Sequence, residues 1–396
     1  MTKLDKLIQE LCPNGVERRP LEQCCTVLDS KRKPVTKSAR EAGEYPYYGA
    51  NGIQDYVSNY IFDGTFILVG EDGSVVTGRG TPVVTWATGK IWVNNHAHII
   101  EEREGVLLRY LYHYIQTIDV SSLIHGNIPK LTGGDFKALS IPVPPLPVQR
   151  EIVRILDNFT ELTAELTAEL TARKQQYAYY RDKLLRFETT TSMQALGEVC
   201  SVESGGTPPK NNDSFWNRGT IRWLGSSVCQ NKKTVSSATD YITELGLASS
   251  SAKMQKAGTT LVALVGATIG KVAFLPFEAA INQNIAGIYP KDTASLDPSY
   301  VYYACTALYP KFVALQKNSK LAMANISFVR GLKIPIPPIA VQKRLVDVLD
   351  NFDAICSDLN IGLPAEIEAR QKQYEFYRDK LLSFKEVSTN EQWKEV

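Results

Sequence analysis

The chain has 396 residues, 44% of them hydrophobic, enough for two or three domains with real cores. No apolar run approaches the ~20 residues that span a bilayer, and the polar opening MTKLDKLIQELCPNG lacks a signal-peptide core, so a cytoplasmic protein is expected rather than a membrane or secreted one. Seven cysteines, none in Cys-x-x-Cys, suit reduced thiols better than a disulfide framework, and a net charge of +2 argues at first against a nucleic-acid partner.

The charge is unevenly spread. Residues 201–333 hold 14 Lys and Arg against 7 Asp and Glu, whereas residues 26–140 hold 11 against 12. The basic stretch points to a polyanion, although ordinary variation along a chain explains it as well. In chain order, residues 28–140 are rich in Gly, Tyr, Asn and β-branched residues, with strand-like runs TFILVG (65–70) and PVVTW (82–86) and a helical run LLRYLYHYI (107–115). They read as a compact, mostly β globule. His96 and His98 alternate onto one strand face and are a candidate metal pair. No third ligand can be named, so polar contacts are the preferred reading and no metal or cofactor is expected.

IPVPPLP at 141–147 is an extended lead-in, because each proline lacks an amide donor and constrains the residue before it. From Val148, apolar residues fall at 152, 155, 159, 162, 166, 170, 177, 180, 184 and 187, a heptad seam with a stutter. The spacing predicts a helix over 148–187, ~60 Å long. Inside it Glu-Leu-Thr-Ala occurs three times, at 161–164, 165–168 and 169–172.

Residues 203–333 form a second mostly β stretch, with TLVALVG (260–266) and KVAFLP (271–276) as strands. Asp297-Pro298-Ser299-Tyr300 approaches the base-gripping loop of an adenine methyltransferase. It reads better as a helix start, with Asp297 capping and Pro298 in the first turn. Gly266 to Lys271 is one residue short of a phosphate loop and has Val272 where Ser or Thr would hold magnesium, so a strand turn is expected. From 334 the helical pattern returns, with apolar residues at 341, 345, 348, 352, 355 and 359, then 367, 374, 377, 381 and 384. Gly362-Leu363-Pro364 interrupts it, predicting a kink with Pro364 opening the second segment.

The chain therefore repeats itself. IPVPPLPVQREIVRILDNF (141–159) matches IPIPPIAVQKRLVDVLDNF (334–352), QYAYYRDKLLRF (176–187) matches QYEFYRDKLLSF (373–384), and LEQCCTV (21–27) resembles LGEVCSV (196–202). Two like helical frames carry two globules of little mutual similarity. Helices this long with one apolar stripe need a partner. An antiparallel pair within the chain is the simplest, and a homodimer through the same stripe is the other possibility. Each four-residue unit would lengthen such a pair by ~6 Å, against ~3.4 Å per base pair of DNA.

These twin Pro-Pro-x-x-x-Gln blocks, the Gln-Tyr-x-x-Tyr-Arg-Asp-Lys-Leu-Leu blocks and the Thr-Ala-Glu-Leu repeat resemble the specificity subunit of type I restriction-modification systems over nearly the whole chain. YPYYGANG (45–52), NNHAH (94–98) and IPKLT (128–132) resemble one recognition-domain type of that family, and SGGTP (204–208), GATIGK (266–271) and NQN (282–284) another. The resemblance implies an α+β fold of two mostly β target-recognition domains, at 1–140 and 191–333. They would be joined by helical spacer regions at 141–190 and 334–396 that pack as an antiparallel coiled coil. It implies a non-catalytic subunit that reads a bipartite site on double-stranded DNA and binds two modification subunits and restriction subunits. The Gly362-Leu363-Pro364 segment departs from the family by standing where a second Thr-Ala-Glu-Leu array is expected.

Arg and Lys suit guanine edges and phosphates, Asn and Gln suit adenine. On residue type and loop context the DNA-binding candidates are Lys31, Arg32, Lys33, Tyr47, Asn51, Arg79, Asn95 and His96 in the first globule. In the second they are Lys210, Asn211, Asn212, Arg222, Gln230, Asn231, Lys232, Lys233, Gln283, Asn284, Lys317 and Lys320. Two other classes stay open: a coiled-coil scaffold that binds proteins, and a methyltransferase with built-in recognition domains.

Overall fold

The computed structural model describes residues 2–73, 75–187, 191–317, 323–357 and 362–386. They form two compact units, Met1–Glu165 with Glu368–Val396, and Leu166–Ile367. No helix among the described residues is long and apolar enough to cross a membrane.

In the first unit, helix α1 (Lys3–Leu11) opens with a capping box: Thr2 Oγ1 accepts the Asp5 amide and the Asp5 carboxylate accepts the Thr2 amide. Six strands follow: β1 (Cys25–Val27), β2 (Ala42–Gly49), β3 (Gly52–Val57), β4 (Phe62–Gly70), β5 (Val84–Val93) and β6 (Ala97–Glu102). They make one sheet in the order β1-β6-β4-β5-β2-β3. The β2–β5 pairing is parallel, with Tyr47 opposite Trp92 and Tyr48 opposite Val93, and its neighbours are antiparallel. Helix α2 (Leu108–Ile115) covers one face, burying Tyr110, Leu111 and Ile115. Helix α3 (Leu146–Leu184) is continuous for 39 residues, close to the helix its periodicity predicts.

The second unit holds β7 (Cys200–Ser204), β8 (Ile221–Leu224), β9 (Lys232–Thr234), β10 (Asp240–Ile242), β11 (Lys253–Gln255), β12 (Thr260–Ala263), β13 (Val272–Phe274), β14 (Ala279–Ile281) and β15 (Ile285–Pro290). One sheet runs β7-β15-β12-β13-β9 and the other β10-β8-β14-β11. Helix α4 (Pro298–Thr306) starts as expected: the Asp297 carboxylate accepts the Ser299 and Tyr300 amides. Helices α5 (Ile339–Ser357) and α6 (Leu363–Leu381) follow. The interruption expected at Gly362-Leu363-Pro364 falls at the start of α6, with Gly362 just before the helix and Pro364 in its first turn; residues 358–361 lie outside the described residues.

The two globules, expected to differ, share a topology. Strands β1, β6, β4, β2 and β3 correspond to β7, β15, β12, β8 and β10. The parallel β2–β5 contact recurs as the parallel β8–β14 contact, with Trp223 opposite Ala280 and Leu224 opposite Ile281. One ten-residue strand, β5, does the work of β13 and β14 together. Pro276 lies between those two and has no amide to give a ladder, which accounts for one sheet in the first unit and two in the second.

The helical frame is also repeated. Arg18–Pro20 pairs antiparallel with Ser140–Pro142, and Met193–Ala195 with Lys333–Pro335. Leu156 and Leu349, equivalent in the repeat, are both fully buried. In the first unit Phe159 of α3 stacks on Tyr377 of α6, centroids 5.3 Å apart. In the second Tyr180 of α3 stacks on Phe352 of α5 at 5.9 Å.

Candidate nucleic-acid interface

In the first unit a segment from Lys31 to Arg40 is laid across the end of the sheet. The Lys33 amide bonds the Val93 carbonyl, and Trp92 Nε1 donates to the Lys33 carbonyl at 2.7 Å. Tyr47, a candidate reader, anchors this segment from beneath. It is 1% exposed, its hydroxyl accepts the Val35 amide at 3.0 Å, and the Arg40 guanidinium lies 4.1 Å above its ring. Lys31 and Lys33 remain exposed. Asn51 is exposed at the β2–β3 turn, where Gly52 has φ +91°.

Arg32, Asn95 and His96 come together at the β5–β6 turn. Arg32 does not face outward: it donates to the Ala97 carbonyl at 2.7 Å and pairs with Glu71 and Asp29. His98 Nδ1 meets Asp29 at 2.6 Å and its Nε2 meets the Leu131 carbonyl at 3.0 Å. Asp29, Glu71 and His98 are a set that could hold a metal ion, but Arg32 already supplies the cationic partner and both His98 nitrogens are engaged. His96 turns instead to Asp72, so the two histidines do not converge. Arg79, in a tight loop closed by Gly80, forms an ion pair with Glu375 of α6.

In the second unit the Gly205 and Gly206 amides bond the Asn282 and Ile281 carbonyls, both at 3.1 Å. A Cβ on Gly205 would lie 1.8 Å from the Ile281 oxygen, so only glycine fits there. This close approach brings Thr207 to Gln283, Oγ1 to Oε1 at 2.8 Å. Lys210 and Asn211 are exposed beside it, while Asn212 caps the next turn by accepting from Ser214. Exposed Arg222 lies over Phe277 at 4.6 Å. Gln230 is exposed and donates to the Ser227 carbonyl.

Asn231 serves the backbone. It takes φ +59° and its side chain accepts the Val272 amide at 3.0 Å. Lys233 is half-buried and ion-paired with Asp350, its ammonium 5.1 Å from the Tyr303 ring centre. Asn284 is half-buried, its amide bonded to Asn282. Lys232 and Lys317 lie on a strand and a helix without described side chains, and Lys320 lies outside the described residues.

One correspondence ties the two units together. Asn94 and Asn282, both buried, end the parallel pairing. The Asn94 amide bonds the Tyr48 carbonyl and the Asn282 amide the Leu224 carbonyl, each at 3.1 Å. Each side chain then folds over its own turn to accept the amide two residues on, His96 at 2.8 Å and Asn284 at 2.9 Å. Asn95 and Gln283 are thereby exposed at the same place in the topology.

Sequence reasoning passed over Thr207 and the junction residues Gln149, Asp157, Gln342 and Asp350. The His113 side chain, fully buried, bridges Asp157 at 2.9 Å and Tyr374 at 2.8 Å. Burial pushes the His113 pKa down. Burial alone would raise that of Asp157, but the bonds from His113 and Arg109 outweigh it and hold it low. The repeat was the available signal for the junction residues, since all four recur at an offset of 193.

Residues 13–173 and 190–369 match the family described as type I restriction modification DNA specificity domain. A putative type I restriction enzyme specificity subunit of Haemophilus influenzae is 34% identical over 400 residues, covering 97% of this chain and 98% of its own. The EcoR124I/EcoR124II specificity subunit of Escherichia coli is 38% identical over 296 residues, 72% of either chain. Among solved structures, the S subunit of the type I system of M. genitalium aligns with a TM-score of 0.56 at 14% identity, over 92% of this chain and 95% of that one. A chain solved in work on complex assembly and conformational transition of the type I system gives 0.59 at 17% identity, over 93% and 98%. At these identities the two structures bear on the fold alone.

Proposed function

The chain belongs to the type I restriction-modification DNA specificity family, and from that premise we propose that it reads a bipartite, asymmetric site on double-stranded DNA. Recognition domain 1 (1–140) takes one half and recognition domain 2 (191–333) the other. The helical regions at 141–190 and 334–396 set the gap between them. The chain is the non-catalytic component of its complex. It brings two modification subunits, which methylate adenine, and the restriction subunits to the DNA.

One observation carries this reading: a single topology occurs twice on a repeated frame with different side chains on it, since the residue just before the parallel pairing is exposed Arg222 in the second globule and Pro46 in the first, while the shared turn carries a carboxamide in both, Gln283 and Asn95. Two readers of identical chemistry would specify a symmetric site. Two of different chemistry specify an asymmetric one, because direct readout depends on side-chain type. The excess of Lys and Arg in residues 201–333 suits attraction to phosphate. Lys31, Lys33, Asn51, Asn95, Lys210, Asn211, Arg222 and Gln283 are the side chains we assign to DNA. Arg32, Tyr47, Asn212, Asn231 and Lys233 hold the surfaces that present them.

A base-resolved methylation map tests the proposal, in a host without DNA methylation that carries the cognate modification subunits with and without this chain. A split adenine motif appearing only with the chain is the expected result. Active, assembled modification subunits that give no new motif would refute it and favour the protein-binding scaffold.

A further inference from the structure

We propose that Gln149 and Gln342 are positioning residues that make the spacing between the two half-sites strict, by fixing the angle at which each globule is mounted on its helix. The inference rests on the bipartite reading above. Both side chains are fully buried in the first turn of their helices. Gln149 Oε1 accepts the Leu107 amide at 2.9 Å, and its Nε2 donates to the Gly105 and Pro144 carbonyls at 3.1 and 2.7 Å. Gln342 Oε1 accepts the Asp297 amide at 2.8 Å, and its Nε2 donates to the Ser295 and Pro337 carbonyls at 2.9 and 2.8 Å. In each unit one amide ties three pieces of chain together: the long helix, its proline lead-in, and the loop that enters the globule's own helix.

Every partner of these two amides is main chain. The clamp therefore works whatever side chains the globule uses to read DNA, which suits a frame that carries two different readers. A second attachment lies eight residues along each helix, ~12 Å away, and there the partners differ. Asp157 takes Arg109 and His113, and Asp350 takes Lys233 and Tyr303. Two attachments that far apart oppose pivoting about either one.

The tolerance required is narrow. A unit of this size has a radius of about 20 Å, and one base pair rises ~3.4 Å. A pivot of roughly 10° at the junction would therefore move the reading surface by one base pair. Replacing either glutamine by leucine leaves a buried amide and two carbonyls without their partner, while the apolar packing of the helix persists.

The test uses the full chain with its cognate modification subunits in a methylation-free host, mapping adenine methylation for the unaltered chain, Gln149→Leu and Gln342→Leu. The unaltered chain is expected to mark one spacer. Each variant is expected to keep both half-sites and to mark sites one base pair longer or shorter at least tenfold more than the unaltered chain does. Off-length methylation no higher than that of the unaltered chain, at any overall level, overturns the inference. So does equal relaxation in Ile99→Val, a core change away from the junction. An unaltered chain that marks no split motif overturns the bipartite reading and this inference with it. Should neither glutamine variant accumulate as folded complex, amide hydrogen exchange is read on the unaltered complex. Leu107 and Asp297 are expected to exchange as slowly as the strand Phe62–Gly70, and exchange at the rate of exposed loops overturns the clamp.

Discussion

Deleting one Glu-Leu-Thr-Ala unit, residues 165–168, tests the role of α3 directly. At 1.5 Å and ~100° per residue, the loss of four helical residues shortens the helix by ~6 Å and turns one end relative to the other by ~40°. Against ~3.4 Å per base pair, the spacer should shrink by one to two base pairs. The deletion should not unfold the chain. Leu162, Leu166 and Leu170 are only half-buried and Thr167, Ala168 and Glu169 are exposed, so no core is opened. The seam through this stretch advances in fours, 162 to 166 to 170, so its apolar stripe closes up in register. The assay is the methylation map of the deletion beside that of the unaltered chain. Unchanged half-sites with a shorter spacer is the expected outcome. A changed half-site with the same spacer would refute the reasoning.

Four further predictions follow from the geometry. Ile99→Ala, at a fully buried position of β6, should cost the first unit about 2–5 kcal/mol, read as a lower urea midpoint for its unfolding. The Glu151 carboxyl, held at about 2 by bonds from Arg154 and Lys3, stabilises above the ordinary carboxylate value of 4.5 and loses that contribution as the pH falls toward 2. Glu151→Gln should therefore be destabilised at neutral pH and converge with the unaltered chain near pH 2 in thermal melts. All seven cysteines are buried, and burial pushes the Cys24 thiol up to about 11 and those of Cys25, Cys200 and Cys229 to about 12. A thiol-reactive dye should label none of them in the native chain and seven after denaturation; rapid native labelling would contradict the packing. Lys33→Ala and Lys210→Ala should each weaken DNA binding across sequences and reduce the salt slope by about one, while Asn95→Ala and Gln283→Ala should each relax one half-site only.

The repeat, the long helix and the helix start at Asp297 were legible in the sequence because their causes are local. A helical seam needs only residues three and four apart, and a cap needs only the next turn. The kinship of the globules was not legible. Strand topology is set by which backbones pair, and β2–β5 and β8–β14 make the same parallel contact through unrelated side chains. Residue type alone could not separate the candidates that stay exposed from those engaged within the fold either. Arg32 and Lys31 are adjacent cations, yet Arg32 pairs with Glu71, 39 residues away, and Lys31 stays exposed. Lys232 and Lys233 are likewise adjacent, and Lys233 is committed to Asp350, 117 residues along the chain. The sequence by itself determined the frame, its repetition and the period of its helices. The tertiary structure decided which of the polar candidates are engaged within the fold and which stay exposed, because a charge is neutralised by whatever the fold brings beside it, and those neighbours come from distant parts of the chain.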